Sequence, residues 1–332
     1  MNGLNTAGRV AVVLVVGLLA GVVGWLLFVE VPTGTAELLG VLLAIAVVVG
    51  GLRFGGSIAR SVFPSYNAVE IAVDGPITRD GGGGIPVRAP GSPGADDIVD
   101  LIEEADANDN AEALVLKLNT PGGAVVPSDD IRLAAAAFDG PTVAYTTDVC
   151  ASGGYWIASG CDELWAREGS IVGSIGVRGS RVTASGLLEK AGLEYEQLTA
   201  GEYKEAGSPF SDLSDDEREY LQGIIDDYYD QFVETVAEGR ETDPETLRET
   251  EARVFLGEEA AEMGLVDHLG TREDVEARLE ELLQKPVDTT KLEPSAGIGE
   301  RLRGGAEGVA YAFGAGIAAR FSDPNGEFRF RF

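Results

Sequence analysis

An α/β domain with largely parallel strands, carried behind a membrane-inserted helical hairpin, is the fold class that this sequence predicts. Three observations lead there. Two apolar runs, residues 10–29 and 36–52, fill most of the first 60 positions, the first of them without a charge. From residue 69 onward, short β-branched stretches alternate with segments of helical period, the pattern of strands joined by crossover helices. The breaks between them are sharp and glycine-rich, as at Asn119-Thr120-Pro121-Gly122-Gly123 and Ala151-Ser152-Gly153-Gly154.

The first run holds twenty residues, enough to cross a bilayer as a helix. The second is interrupted only by Glu37, and a short turn at 30–35 separates the two. A signal peptide would have a shorter apolar segment and a clean small-residue cleavage site, so residues 1–60 are expected to form a two-span membrane anchor. Arg9 precedes the first span, Arg53 and Arg60 follow the second, and the turn between carries only an acid. That charge bias places both ends on the cytoplasmic side.

Residues 66–285 are long enough for one sizeable domain with its own core. Strands are expected at 69–73, 113–118, 142–147 and 193–198, with helices at 96–107 and 128–138. A long helix should start at Ser214-Asp215-Asp216-Glu217, a capping box. Its Leu221, Ile224, Ile225, Tyr228, Phe232 and Val236 recur at helical period and read as a core stripe. Residues 255–270 look like a helix and a closing turn. Residues 75–94, rich in glycine and proline, form a loop of a length usually reserved for function. Residues 286–332 remain as a glycine-rich tail ending in Phe328-Arg329-Phe330-Arg331-Phe332.

The chain has 55 acidic against 25 basic residues, a net charge of −30, and only five of the basic residues are lysine. The acids are spread through every polar segment, which fits a surface kept soluble in high salt, where screening is short-ranged. No basic stripe exists for a nucleic acid. Two cysteines, Cys150 and Cys161, are too few for a disulfide framework or a metal site and read as small buried groups. No motif calls for a metal or an organic cofactor.

Ser152 stands where a β-branched strand turns into a helix, so the first unpaired N–H groups of that helix face whatever its hydroxyl meets. Serine is also a good helix N-cap, but two glycines directly after it favour close approach by a ligand backbone. A serine nucleophile needs a base. The chain has one histidine, His268, far downstream, whereas Lys204 sits in a glycine-bounded Gly201-Glu202-Tyr203-Lys204-Glu205-Ala206-Gly207 segment. Burial would disfavour the charged ammonium and free its lone pair near neutral pH. The Gly153 N–H and an N–H from Gly122 or Gly123 would then cradle an oxyanion.

Five ordered segments carry a further resemblance: LKLNTPGGAV, VCASGGYWIASGCDELWA, GSIVGSIGV, GEYKEAGSPF and RVFLGEEAAEMGLVDHLG. Together they resemble the signal peptide peptidase A family of membrane-anchored serine proteases, in the Clp protease/crotonase fold superfamily with its repeated ββα core. The resemblance implies a Ser–Lys dyad of Ser152 (nucleophile) and Lys204 (general base), with Ser174 orienting the lysine amine. It implies hydrophobic peptide substrates, notably signal peptide remnants, no cofactor, and a homo-oligomer whose neighbouring subunits complete each site. Family members usually hold the protease outside the cytoplasm on one anchor, against the cytoplasmic side that two spans and their charges indicate here. The alternatives are a related membrane protease that trims stomatin-like proteins, which should carry a companion domain, and an inactive peptide-binding scaffold, which should have lost part of this residue set. A crotonase-type acyl-CoA enzyme would have no need of a Ser–Lys pair, and a triad through His268 would leave Lys204 without a role.

Overall fold

A computed structural model describes residues 2–26, 37–62, 66–81 and 93–294. Most of the glycine-proline stretch, residues 27–36 with the turn expected at 30–35, and the Phe-Arg repeat of the tail lie outside the described residues.

Both apolar runs are helical: α1 (Asn2–Trp25) and α2 (Glu37–Val62) pack on each other. Small residues bring their backbones close. A Cβ on Gly24 would lie 3.3 Å from Ala44 Cα, and one on Gly51 would fall 2.4 Å from Ala20 Cβ. Such seams let helices associate where no hydrophobic effect separates them from lipid. Leu14, Leu18 and Trp25 are each more than half exposed on the outer side of α1. Gly8–Trp25 is the one described segment long and apolar enough to cross a membrane; in α2 the apolar part is Leu43–Gly56. The second helix also runs ten residues past the expected end at 52 (62 − 52), through Arg53 to Val62.

The sheet begins with β1 (Ala68–Asp74), whose alternating Val69, Ile71 and Val73 are buried, as are Ala68 and Glu70 on the other face. Burial on both faces is the mark of a parallel strand covered by helices. Glu70 is accommodated by Arg272, whose Nε lies 2.7 Å from its carboxylate. Helix α3 (Ala95–Asp106) crosses to β2 (Leu114–Thr120), and α4 (Val125–Ala137) crosses to β3 (Thr142–Ala151). All three strands are parallel, β1 and β2 in continuous register and β2 and β3 in register as far as Leu118. One face of the sheet packs Leu114, Leu116 and Leu118 against Ile98 and Ile102 of α3 and Ile131 of α4. Each fully buried Leu or Ile contributes about 1.5–3 kcal/mol of transfer energy, so this layer anchors the C-terminal ends of β2 and β3.

After β3 come α5 (Gly153–Ala158), β4 (Glu163–Ala166) and β5 (Ile171–Gly173). β4 pairs with the first half of β3 and β5 with its last three residues, so β3 forks the sheet. Then follow α6 (Ser185–Lys190), α7 (Asp215–Gly239), α8 (Pro244–Glu249), β6 (Val254–Leu256) and α9 (Gly257–Glu262). The domain closes with β7 (His268–Leu269), α10 (Arg272–Leu283) and β8 (Thr289–Leu292). The main path is β6-β5-β3-β2-β1-β8, with β4 and β7 off it and only β6 antiparallel. Val275 and Leu279 of α10 cover the second face over Val115, Tyr145 and Trp165.

The α/β class and the early elements match expectation to within a few residues. Ser214 caps α7 as expected, its hydroxyl accepting the Glu217 N–H while the Glu217 carboxylate accepts the Ser214 N–H. Three details differ. The core stripe of α7 holds only in its second half: Phe232 and Val236 are buried, but Ile224 is exposed. Residues 193–198 form no strand; Leu193 and Leu198 are 61% and 94% exposed and no neighbouring strand pairs with them. The segment at 255–270 holds two short strands around α9, and β8 carries the sheet beyond residue 285, pairing with β1.

Candidate active site

Register places the site. Leu118 pairs with Thr146, but Thr120 pairs with Cys150, so four residues of β3 run beside two of β2. This bulge re-aims the end of β3, so that Ser152 emerges directly beside the Pro121-Gly122-Gly123 turn. A Cβ built on Gly122 would lie 2.5 Å from Gly153 N and 2.8 Å from Ser152 Cβ. The two breaks that stood out in the sequence are in van der Waals contact.

Ser152 has φ 54° and ψ −122°, a region that costs an L-residue about 1–3 kcal/mol. Its N–H donates to Gly173 O (2.9 Å) and its carbonyl accepts the Trp156 N–H (3.0 Å). Its side chain makes no capping bond to α5, so the hydroxyl is not consumed by the helix. Gly153 and Gly154 open α5, where N–H groups have no intrahelical acceptor. Neither tolerates a side chain: a Cβ on Gly153 would meet Ser128 Oγ at 2.4 Å, and one on Gly154 would meet Thr120 Cγ2 at 2.6 Å.

On the facing turn the two glycines differ. The Gly122 N–H donates to Thr120 Oγ1 (3.0 Å), and Gly122 O accepts the Ile77 N–H (3.0 Å). Gly123 forms a parallel bridge with Ile77 in which Ile77 O takes the Ala124 N–H (2.9 Å). In such a bridge the N–H of Gly123 itself points away from Ile77, and Gly123 N lies 3.2 Å from where a Gly153 Cβ would be. Of the pair the sequence offered, Gly122 has its N–H engaged, whereas the Gly123 N–H is turned away from Ile77 with its nitrogen close to Gly153.

Ser174 follows β5 on the neighbouring edge. It too has positive φ (53°), and its N–H donates to Arg253 O (2.8 Å). Because Gly173 O holds the Ser152 N–H, the two serines lie on adjacent, bonded strand ends.

Lys204 is elsewhere in character. It lies in a turn at 200–207, exposed, and among the described residues its side chain makes no hydrogen bond or ion pair. The burial expected to free its lone pair is absent in the single chain. The turn is held at a distance from its own tip: Tyr203 stacks on Tyr220 of α7 (4.7 Å between centroids), and Arg181 donates to Ser208 O (2.8 Å) and Ser211 O (2.9 Å).

The remaining candidates fall away from this cluster. His268 sits in β7 opposite Trp165, whose partner on β3 is Tyr145, seven residues (152 − 145) before Ser152. Its neighbours are the Trp165 ring and Glu163. Cys150 and Cys161 are both buried and unpaired; burial raises both thiols, Cys161 to about 12. They are not nucleophiles at neutral pH. The residues the sequence did not reveal are Thr120, Ser128, Ile77 and Arg253, each of which acts on the backbone of the cluster. Only Thr120, directly before the Pro-Gly-Gly turn, had a positional signal.

The family model described as Peptidase family S49 matches residues 136–285. A Synechocystis protein named as a protease by inference is 40% identical over 201 residues, covering 58% of this chain and 72% of that one. A Methanocaldococcus jannaschii protein, named likewise, is 37% identical over 187 residues, covering 55% of this chain and 60% of the relative. Protease 4 of Salmonella typhi is 33% identical over 205 residues, covering 59% of this chain but only 32% of the relative. The chain thus spans well under the full length of several relatives. The solved 1510-N membrane-bound stomatin-specific protease, in complex with a substrate peptide, aligns with a TM-score of 0.46 and 19% identity over 72% of this chain and 96% of that one. By the matched residues and the Synechocystis relative, this chain belongs to peptidase family S49.

Proposed function

We propose that the protein is a membrane-anchored serine endopeptidase in which Ser152 is the nucleophile, Lys204 the general base and Ser174 the acceptor that aims the lysine amine. The observation that carries this reading is Ser152 itself: a strained φ of 54° beside Gly153 and Gly123 N–H groups, with its hydroxyl left out of the helix cap. Strain of this kind persists where the surroundings over-determine it, and it clusters at reacting groups.

Neutral Lys204 takes the Ser152 proton as Oγ attacks a peptide carbonyl carbon. The carbonyl π electrons move to oxygen, and the Gly123 and Gly153 N–H groups hold that oxyanion, at about 3–4 kcal/mol for each donor. As the carbon–nitrogen bond breaks, the lysinium proton goes to the leaving amine. Water, giving its proton to the same lysine, then attacks the acyl ester, and as the ester C–O bond breaks the lysinium returns a proton to Ser152 Oγ and the carboxylic acid product leaves.

In one chain Lys204 is exposed, and the arm around it presents Val182, Leu187 and Leu198 at 84%, 69% and 94% exposure. An apolar surface of that kind is a contact surface. The reading is therefore a homo-oligomer in which a neighbour covers this arm, dries the lysine and brings Lys204 and Ser152 of adjacent subunits together. The anchor is the α1–α2 hairpin, whose glycine seam supports two spans in the bilayer. The substrates are hydrophobic peptides presented at the membrane, signal peptide remnants among them.

The test is peptide hydrolysis by full-length protein in detergent and high salt, with Ser152→Ala and Lys204→Ala beside the wild type. Loss of cleavage in both, with assembly unchanged, is expected; full activity in Lys204→Ala would remove the lysine from the mechanism.

A further inference from the structure

The mechanism above uses two backbone donors, and what holds them in place is a side chain it does not use. Thr120 is the last residue of β2 and is fully buried. Its hydroxyl donates to Gly75 O at 2.5 Å and accepts the Gly122 N–H at 3.0 Å. It therefore ties the start of the Pro-Gly-Gly turn to the loop after β1. Gly75 is held in turn, since its N–H donates to Asn119 O (2.9 Å). On its other side the Thr120 methyl lies where a Cβ on Gly154 would be, 2.6 Å away, and Thr120 O is 3.2 Å from the same point. One residue thus touches both loops that supply the donors: by its hydroxyl the turn carrying Gly123, and by its methyl the first turn of α5 carrying Gly153.

We propose that Thr120 is a positioning residue for the oxyanion hole. By taking the Gly122 N–H it fixes the Pro121–Gly122 peptide plane and so the path on which the turn enters Gly123, while the Ile77 N–H, held by Gly122 O, orients the next plane, which carries the Gly123 N–H. By its methyl it sets the height of α5 against that turn. The proposal rests on the reading of Ser152, Gly123 and Gly153 given above. It separates the two neighbouring amides by role: Gly122 is spent on scaffold, Gly123 on the reacting oxygen. A misplacement of about 1 Å at such a donor costs on the order of 100-fold in rate.

The experiment compares Thr120→Ala, which removes hydroxyl and methyl without introducing a clash, with Thr120→Ser, which keeps the hydroxyl. Full-length wild type and variants are assayed in detergent for kcat, KM and the affinity of a peptide boronate, whose tetrahedral adduct places an oxygen in the hole. The expected result for Thr120→Ala is a fall in kcat of about 10- to 100-fold. Boronate affinity should weaken in step while KM stays within about threefold. Thr120→Ser should stay within about threefold of wild type on all three readouts. A purely structural role would lower the amount of active enzyme without changing the ratio of boronate affinity to KM. Thr120→Ala with wild-type kcat, or Ala and Ser variants that behave alike, overturns the proposal. So does a kcat loss matched by an equal loss of folded protein. If the wild type itself neither cleaves peptides nor binds the boronate, the reading of the site as a peptidase fails instead.

Discussion

The Ser152 cradle and the Lys204 arm are built in opposite ways. Around Ser152 the Ser152 N–H, the Gly122 N–H and the Gly122 carbonyl are each bonded, and added Cβ atoms at Gly122, Gly123, Gly153 and Gly154 would meet their nearest atoms at 2.1 to 2.6 Å. Around Lys204 the chain is exposed, and a Cβ on Gly201 would meet nothing nearer than Lys204 Cβ at 4.0 Å. The cradle is set by the β2–β3 register and the core beneath it. The arm at 178–213 is held within itself by the Arg181 fork, the Tyr195–Phe210 pair and the Ser185–Asp212 bond, and it reaches α7 through the Tyr203–Tyr220 stack. On the proposed reading the difference separates fold from assembly: the proposed nucleophile and oxyanion donors are held together within one chain, whereas the proposed base, Lys204, is exposed in it.

Substitutions that remove the nucleophile should give the largest effect. Ser152→Ala should lower kcat by on the order of 10⁴-fold or more and leave thermal unfolding at least as high as in the wild type, because alanine loses no capping bond there. A drop in unfolding temperature without loss of hydrolysis would mean that Ser152 is a structural residue after all.

A pair of glycines sharpens the contrast further. Gly122→Ala combines a φ of 91° with a backbone clash 2.5 Å away, whereas Gly201→Ala combines a φ of 106° with open space. The first should cost about 3 kcal/mol or more of stability and abolish activity; the second should cost about 1 kcal/mol, the strain alone. Denaturant unfolding of the two variants gives the comparison directly, and equal losses would mean that the arm is as tightly held as the cradle.

Smaller again is the expected effect of Tyr203→Ala, which removes the stack on Tyr220. Such pairs contribute about 0.5–1.5 kcal/mol beyond their area, so global stability should barely move. Activity and assembly, read by hydrolysis and by size in detergent, should fall several-fold, because the stack holds the turn that carries Lys204. Unchanged activity would detach the arm's local order from the function of Lys204.

The smallest effect is one of pH, on a part of the sheet distant from both regions. Burial pushes the Glu163 carboxyl up, but hydrogen bonds from Arg278 and Trp165 outweigh it and leave the group below its ordinary value. A depressed carboxylate stabilises the fold above its unfolded value, about 4.3, and that contribution is lost as pH falls through the folded value. Unfolding followed from pH 7 downward should therefore show Glu163→Gln converging with wild type below about pH 4. A gap that persists into acid would assign the difference to packing.

How much of this was legible depended on how local the signal was. The strands at 69–73 and 113–118 announced themselves because nearly every residue is apolar, Glu70 and Lys117 being the exceptions, as burial of both faces requires. Ser152-Gly153-Gly154 and Pro121-Gly122-Gly123 were visible as breaks, but not that a β3 bulge would press them together, since a register is a property of two strands. β5, β6 and β7 are two or three residues long and exist only through distant partners, so no window of sequence carries them. The spacing of Leu193, Tyr195 and Leu198 reads as a strand because apolar side chains normally need covering. In the single chain Tyr195 packs on Phe210 while Leu193 and Leu198 stay largely exposed, which fits the proposed surface that another subunit is to meet. Lys204 was legible as a residue and not as an environment, for the same reason.

The most direct measurement is therefore complementation between two inactive proteins. Full-length Ser152→Ala and Lys204→Ala chains, each inactive alone, are dissociated, mixed in equal amounts and reassembled in detergent and high salt. If Ser152 and Lys204 act across a subunit boundary, random mixing restores a whole dyad at roughly a quarter of the sites, and hydrolysis should return to about that fraction of wild type. Mixed assemblies that form but stay inactive would contradict the shared dyad and place the base for Ser152 within its own chain.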